Sequence, residues 1–193
     1  AGHGGRAHAL KAKLLAKREF AGYWEYLLDE ALFTAPAHPQ WGGSALIGRD
    51  GQLLGIGSLL VQEKITDEAE QGNMIVPIDL LEPILNDLLT TGRSSRPPRP
   101  WLGIYTTELG GHVVVAGVAE GGPAEKAGLQ TGDVLLEVDG ARIAGLADLF
   151  RKIWALGVAS VDVPLTIARE GKGMHIDVRS IDRHDLLWKP YLH

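Results

Sequence analysis

Apolar and polar positions divide this chain into two patterned stretches with a proline-rich break between them. In the first stretch, Phe20 to Phe33 is rich in aromatics, with Tyr23, Trp24 and Tyr26 close together. Thr34 to Gly43 holds Pro36, Pro39 and Gly42 and reads as a loop. Ser44 to Gly48 and Gln52 to Gln62 are apolar runs flanking Asp50-Gly51, a pairing that predicts a hairpin. Met74 to Ile78 predicts a strand. Asp79 then predicts a helix start over 79–91, with Glu82 at capping-box spacing and Pro83 in the first turn. Leu80, Ile84, Leu85, Leu88 and Leu89 recur at helical spacing, and Gly92 supplies the stop. Residues 1–18 are rich in Gly, Ala and basic side chains and read either as a frayed tail or as a strand of an incomplete sheet.

The break is Arg93-Ser94-Ser95-Arg96-Pro97-Pro98-Arg99-Pro100, whose consecutive prolines favour an extended, semi-rigid linker. After it, 101–106 and His112 to Val118 predict strands. Pro123-Ala124-Glu125-Lys126-Ala127 predicts a short helix stopped by Gly128. Asp133 to Val138 is a strand ending at the turn Asp139-Gly140. Leu146 to Leu156 is a second helix, with Leu146, Leu149, Phe150 and Ile153 on one side. Val161 to Arg169 and Met174 to Arg179 close the pattern as a hairpin through 170–173. Strands with two short helices imply a small, partly open β-barrel.

Composition narrows the chemistry. A net charge of −5 argues against a nucleic-acid footprint. No apolar run reaches the roughly 18 residues that a spanning helix needs. With no cysteine in the chain, disulfides, metal-thiolate sites and thiol catalysis are excluded. The start, Ala1-Gly2-His3-Gly4-Gly5, has neither Met nor a leader pattern and reads as a fragment or a processed product. His3 and His8 lack a third ligand, so no metal site is expected, and no cofactor. Asp29 and Glu30 are adjacent and point in different directions, which suits a solvated edge better than an acid/base pair. Gly55-Ile56-Gly57 is not a phosphate loop, because no helix follows it. Arg93, Arg96 and Arg99 read as solvated linker residues.

Trp101-Leu102-Gly103-Ile104 is the segment with the clearest chemistry. Successive backbone N–H groups can form a concave nest for a carboxylate, and a glycine lets the backbone bend and approach closely. A strand edge beside such a nest takes an extended peptide as one more strand. The candidate carboxylate-binding residues are Leu102, Gly103 and Ile104. The candidate groove residues are Trp101, Tyr105, Leu149 and Ile153, the last two being core candidates as well.

Gly122-Pro123-Ala124-Glu125-Lys126-Ala127-Gly128-Leu129 followed by Gly132-Asp133-Val134-Leu135 resembles the PDZ domain of bacterial HtrA/Deg-type serine proteases. Trp101 to Ile104 falls where that family places its carboxylate-binding loop. Ser44 to Ile47, 50–56, and Ile75 to Asp79 with its helix resemble the last strands and exit helix of the trypsin-like barrel. The resemblance implies a mainly β chain with short helices (α+β). A partial trypsin-like β-barrel segment is followed by a PDZ-like partly open β-barrel with two helices. The implied domains are 1–92 for the barrel segment, 93–100 for the linker, 101–181 for the PDZ domain and 182–193 for an apolar tail.

The resemblance also locates an expected absence. The family's nucleophile loop reads Gly-Asn-Ser-Gly-Gly. Here the stretch is Pro39-Gln40-Trp41-Gly42-Gly43-Ser44, so alignment puts Trp41 or Gly42 at the nucleophile. Ser44 lies two or three positions late. Only His3, His8 and His38 precede Ser44 among histidines, and the large N-terminal barrel that would present a His and an Asp is not in this sequence. No catalytic residue is assigned, and the chain is expected to be inactive. The expected function is that of a non-catalytic HtrA-like protein binding C-terminal peptides of other proteins, misfolded ones included, by strand addition. The alternative is a fragment of a working endopeptidase whose N-terminal barrel lies outside this chain. By resemblance the chain is placed in the periplasm, with self-association open to it. The end of that tail, 185–193, is expected to dock on the domain surface, its alternative being to occupy a neighbour's groove.

Overall fold

A computed structural model describes residues 5–64 and 69–186, and the chain divides into two compact units. The first comprises residues 1–20 and 28–95. The second comprises 21–27 together with 96–193.

Five strands make one open sheet: β1 (Lys13–Gly22), β2 (Tyr26–Ala35), β3 (Ala45–Ile47), β4 (Leu53–Lys64) and β5 (Ala69–Pro77). Their order is β1-β2-β5-β4-β3. The aromatic run and the basic N-terminal stretch thus supply two adjacent ten-residue strands. Apolar residues of β2 and β5 form the core of this unit, with Ala31, Phe33, Met74 and Ile75 almost wholly buried. Asp50-Gly51 does join two antiparallel strands, β3 and β4. Gly57 earns its place through close approach, since a Cβ there would lie 2.1 Å from the Trp41 carbonyl oxygen. Asp29 and Glu30 are both exposed, and Glu30 pairs with Lys17 at 2.7 Å.

The exit helix differs from expectation at its start. Ile78–Leu80 is a 3-10 turn, and α1 runs Glu82–Thr91 with Leu81 as N-cap and no side-chain cap. The capping box of Asp79 and Glu82 therefore does not form, because the tight turn after Pro77 occupies its first residue. Gly92 ends α1 in the left-handed conformation, at φ 74°, as its sequence position implied.

The second unit is also an open sheet. Its strands are β6 (Ile104–Leu109), β7 (His112–Val118), β8 (Val134–Val138), β9 (Ala141–Arg142), β10 (Asp162–Arg169) and β11 (Lys172–Arg179). They run in the order β11-β10-β8-β7-β6, with β9 beside β8. Strand β6 is thus an edge. It begins at Ile104 rather than at Trp101, because Trp101 instead bridges to Ile181. The hairpin between β10 and β11 turns through Glu170-Gly171 alone, both at positive φ, which is tighter than the four-residue turn expected.

Among the described residues three short helices accompany this sheet: the two expected, α2 (Pro123–Lys126) and α3 (Leu146–Ala155), and α4 (Arg183–Leu186) in the tail beyond them. In α3 the buried residues are Leu146, Leu149, Phe150 and Ile153, the stripe read from the sequence. They meet Ile104, Val115, Val163, Leu165 and Ile167 in one apolar core. Asp133 ties the unit together from its polar side. Its carboxylate accepts two hydrogen bonds from the Arg169 guanidinium (2.6 and 2.7 Å) and one from the Gln130 amide (2.8 Å). Of the tail, Asp185 and Leu186 lie in α4, and residues 187–193 are outside the described residues.

Candidate functional site

The nest is built by the chain around Gly103. Trp101 fixes its start through two hydrogen bonds with Ile181, each 3.1 Å. The Leu102 and Gly103 carbonyls are taken by the Ala124 and Ala119 amides, both at 2.8 Å. With the carbonyls held on one side, the amides of 102, 103 and 104 converge on the other. Gly103 permits this at φ 76°, where a side chain would be strained, and a Cβ would also lie 3.0 Å from the Trp101 ring.

A carboxylate occupies that convergence, and it is Glu25. Its Oε1 accepts from the Gly103 amide at 2.7 Å, from Ile104 at 3.0 Å and from Leu102 at 3.2 Å. Oε2 receives only a 3.1 Å contact from Leu102. Two residues earlier, the Tyr23 carbonyl accepts from the Thr106 amide at 2.8 Å. Residues 23–25 therefore run antiparallel to 104–106 along the free edge of β6. Glu25 sits at the tip between β1 and β2 with φ 59°, a backbone region that few side chains other than glycine adopt.

Aromatic rings pack against one another along this turn. Trp24 stacks on Tyr26 and meets Tyr23 edge-on, while Tyr23 lies 6.0 Å from Tyr105. Glu25 is only 8% exposed. Burial pushes its carboxyl up from the ordinary 4.5 to about 7, while the Ile104, Leu102 and Gly103 amides and the Arg183 charge pull the other way. The amides concentrate on Oε1, so a proton fits on Oε2 while the nest stays filled.

The other groove candidates divide. Tyr105 is exposed beside Tyr23, and Trp101 is half-buried beneath Gly103. Leu149 and Ile153 are wholly buried in the core, as are the side chains of Leu102 and Ile104. Half-buried Ala21 and Leu27, flanking the turn, pack against that same core. The Thr106 hydroxyl is buried with no hydrogen-bond partner among the described residues. Arg99 is not simply solvated, because its guanidinium lies 4.2 Å over the Trp154 ring.

The stretch expected at a protease nucleophile has a different architecture. Ser44 is buried and its hydroxyl donates to the Trp41 carbonyl at 2.9 Å. The Gly43 amide donates to the Gly57 carbonyl at 2.9 Å, so that amide is spent within the sheet. His38 is committed as well. Its Nδ1 accepts from the Gln40 amide (3.0 Å), which leaves Nε2–H to donate to the His8 carbonyl (2.7 Å). No group of three or more His, Asp or Glu side chains able to hold a metal occurs among the described residues, and His3 lies outside them.

Known proteins resolve the family. The profile of the PDZ domain matches residues 100–179. The serine protease Do-like HtrA of Bacillus subtilis (strain 168) is 29% identical over 156 residues, covering 72% of this chain and 34% of its own length. A probable periplasmic serine endoprotease, DegP-like, from Pseudomonas putida (strain W619) is 32% identical over 154 residues, covering 73% and 31%. The chain carries a PDZ domain and is homologous to the HtrA/Deg serine proteases.

The fold agrees, since a solved HtrA-type protease, AlgW with decapeptide, shares it at a TM-score of 0.50 and 21% identity. That likeness covers 80% of this chain and 50% of the other. The chain spans about a third of the length of the two curated relatives. Its PDZ domain contains the whole nest, while Glu25 comes from 75 residues before the matched region begins (100 − 25). No helix among the described residues is long and apolar enough to cross a membrane.

Sequence reasoning picked out the three amides and missed the group that fills them. The available signal was a single carboxylate, Glu25, inside the run Tyr23-Trp24-Glu25-Tyr26. An acidic residue amid three aromatics at a hairpin tip is out of character for a solvated turn.

Proposed function

We propose that this HtrA-family chain captures the C-termini of other polypeptides at its PDZ domain and does not cut them. The observation that carries the reading is the carboxylate already seated on the Leu102, Gly103 and Ile104 amides. It supports the nest as a carboxylate receptor, because the donors converge on one oxygen at hydrogen-bonding distance. The edge position of β6 supports strand addition, since the Tyr23 carbonyl already takes the Thr106 amide there, in line with the nest, as an added strand would. Tyr105 and Trp101 are the groove residues best placed to touch such a peptide. The buried positions of Leu149 and Ile153 make them the floor beneath it.

The absence of cutting rests on the Ser44 and His38 hydrogen bonds, which leave neither side chain arranged for nucleophilic attack. The periplasm is the compartment we assign, after the DegP-like relative described as periplasmic. The test is calorimetric titration of the whole chain with an apolar-ended peptide bearing a free carboxylate, and with the same peptide amidated. The free acid is expected to bind at least tenfold more tightly. Equal binding of the two overturns the carboxylate nest.

A second reading is favoured by coverage alone. Because the chain spans about a third of relatives named as proteases, it is also compatible with being one portion of a working endopeptidase. Activity against an unfolded substrate in the longer gene product, lost on Ser44→Ala, would decide for it.

A further inference from the structure

We infer that the turn Tyr23-Trp24-Glu25 is an internal ligand of the PDZ domain, an imitation chain end that a C-terminal peptide must displace. The inference rests on the peptide-binding reading above and adds its regulation.

Three independent features of the turn fit that role. The first is register. A bound chain end places its carboxylate on the 102–104 amides and the carbonyl two residues earlier on the Thr106 amide. The Glu25 side chain and the Tyr23 carbonyl make those two contacts, at 2.7 and 2.8 Å. The carboxylate comes from a side chain instead of a terminus, so the backbone continues past it into β2.

The second feature is the backbone. Glu25 holds φ 59°, a region that strains a side-chain-bearing residue. Glycine would sit there without strain, and a turn needing only its shape has no use for glutamate. The third feature is burial. The carboxyl of a residue only 8% exposed is costly to desolvate unless its hydrogen bonds are made, and the nest makes them. The site and its occupant are fitted to each other, and the same amides cannot serve two carboxylates.

Competition is the consequence. Peptide affinity in the whole chain is the intrinsic affinity reduced by the fraction of molecules in which the nest is filled. The Glu25→Gly variant isolates this term, since it removes the carboxylate and relieves the backbone. Titrated with the free-acid peptide, Glu25→Gly is expected to bind at least tenfold more tightly than wild type. The amidated peptide is expected to gain much less. In parallel, hydrogen exchange at the Gly103 and Ile104 amides is expected to accelerate in Glu25→Gly and to slow again when peptide is added.

Equal affinity of wild type and Glu25→Gly for the free acid overturns the internal ligand while leaving peptide binding intact. An equal gain for the acid and the amide overturns it too, since competition for the carboxylate site would then be absent. No binding by either protein overturns the peptide-binding reading itself. Should Glu25→Gly fail to fold, Glu25→Asn substitutes for it. Asparagine also tolerates this backbone, and its side chain is one methylene short of the nest.

Discussion

At the scale of the single residue, Glu25 makes stability depend on pH in an unusual direction. Its carboxyl titrates near 7 in the folded chain and near 4.5 when unfolded. Between those values the folded state holds the extra proton, so stability falls as pH rises through the window. Glu25's contribution is full below about 4.5 and lost above about 7. Most buried acids that gain a partner act oppositely. Here burial outweighs three amides and the Arg183 charge. Urea denaturation of wild type and Glu25→Gln at pH 5 and pH 7.5 is the check. Wild type is expected to lose stability between the two, and the variant to lose distinctly less. An identical change in both would show that Glu25 does not hold that proton. This residue was also the least legible, because its partners lie 77 to 79 positions away and no local pattern couples them.

At the scale of elements, what the sequence revealed depended on how local the cause was. The stripe of α3 was readable because helical spacing alone selects Leu146, Leu149, Phe150 and Ile153. The Asp50-Gly51 and Asp139-Gly140 turns were readable because glycine at positive φ is a local requirement. The start of α1 was not, because a capping box and a 3-10 turn share the same spacing of Asp79 and Glu82. The Asp133–Arg169 pair was equally hidden, since it joins the chain before β8 to the end of β10. For Asp133, burial opposes the charge, yet the Arg169 and Gln130 hydrogen bonds hold its carboxyl below the ordinary 3.8. This is the usual sign, in which stability is present above that value and lost as acid protonates the group. Arg169→Ala leaves a carboxylate with 1% side-chain exposure without its guanidinium. The melting temperature is expected to fall by about 5 °C or more, measured by circular dichroism. No change would mean that the pair is ornamental.

For the whole molecule, the fold class and the PDZ motif were legible because Gly122 to Leu135 combines a helix start, a helix stop and a buried Asp in fixed order. In the open sheet before it, the hairpin at Asp50-Gly51 and the strand at Met74 were legible from local pattern, while the long, weakly alternating β1 and β2 were not. The protease question belongs at this scale, because catalysis needs groups from distant parts of a chain to meet. An active-site phosphonate probe that labels reactive serines is expected to leave this chain unmodified, with mass spectrometry as the readout. A phosphonate adduct on Ser44 would reverse the assignment of the chain as non-cutting.

The positive-φ turn that carries Glu25 has a consequence for how such a molecule would count. A competitor tethered within the same chain acts at an effective concentration fixed by the connection. It is never diluted and never exhausted. Scattered chain ends therefore pass unregistered, and only a surge of them outbids the tether, so the molecule responds to abundance and not to mere presence.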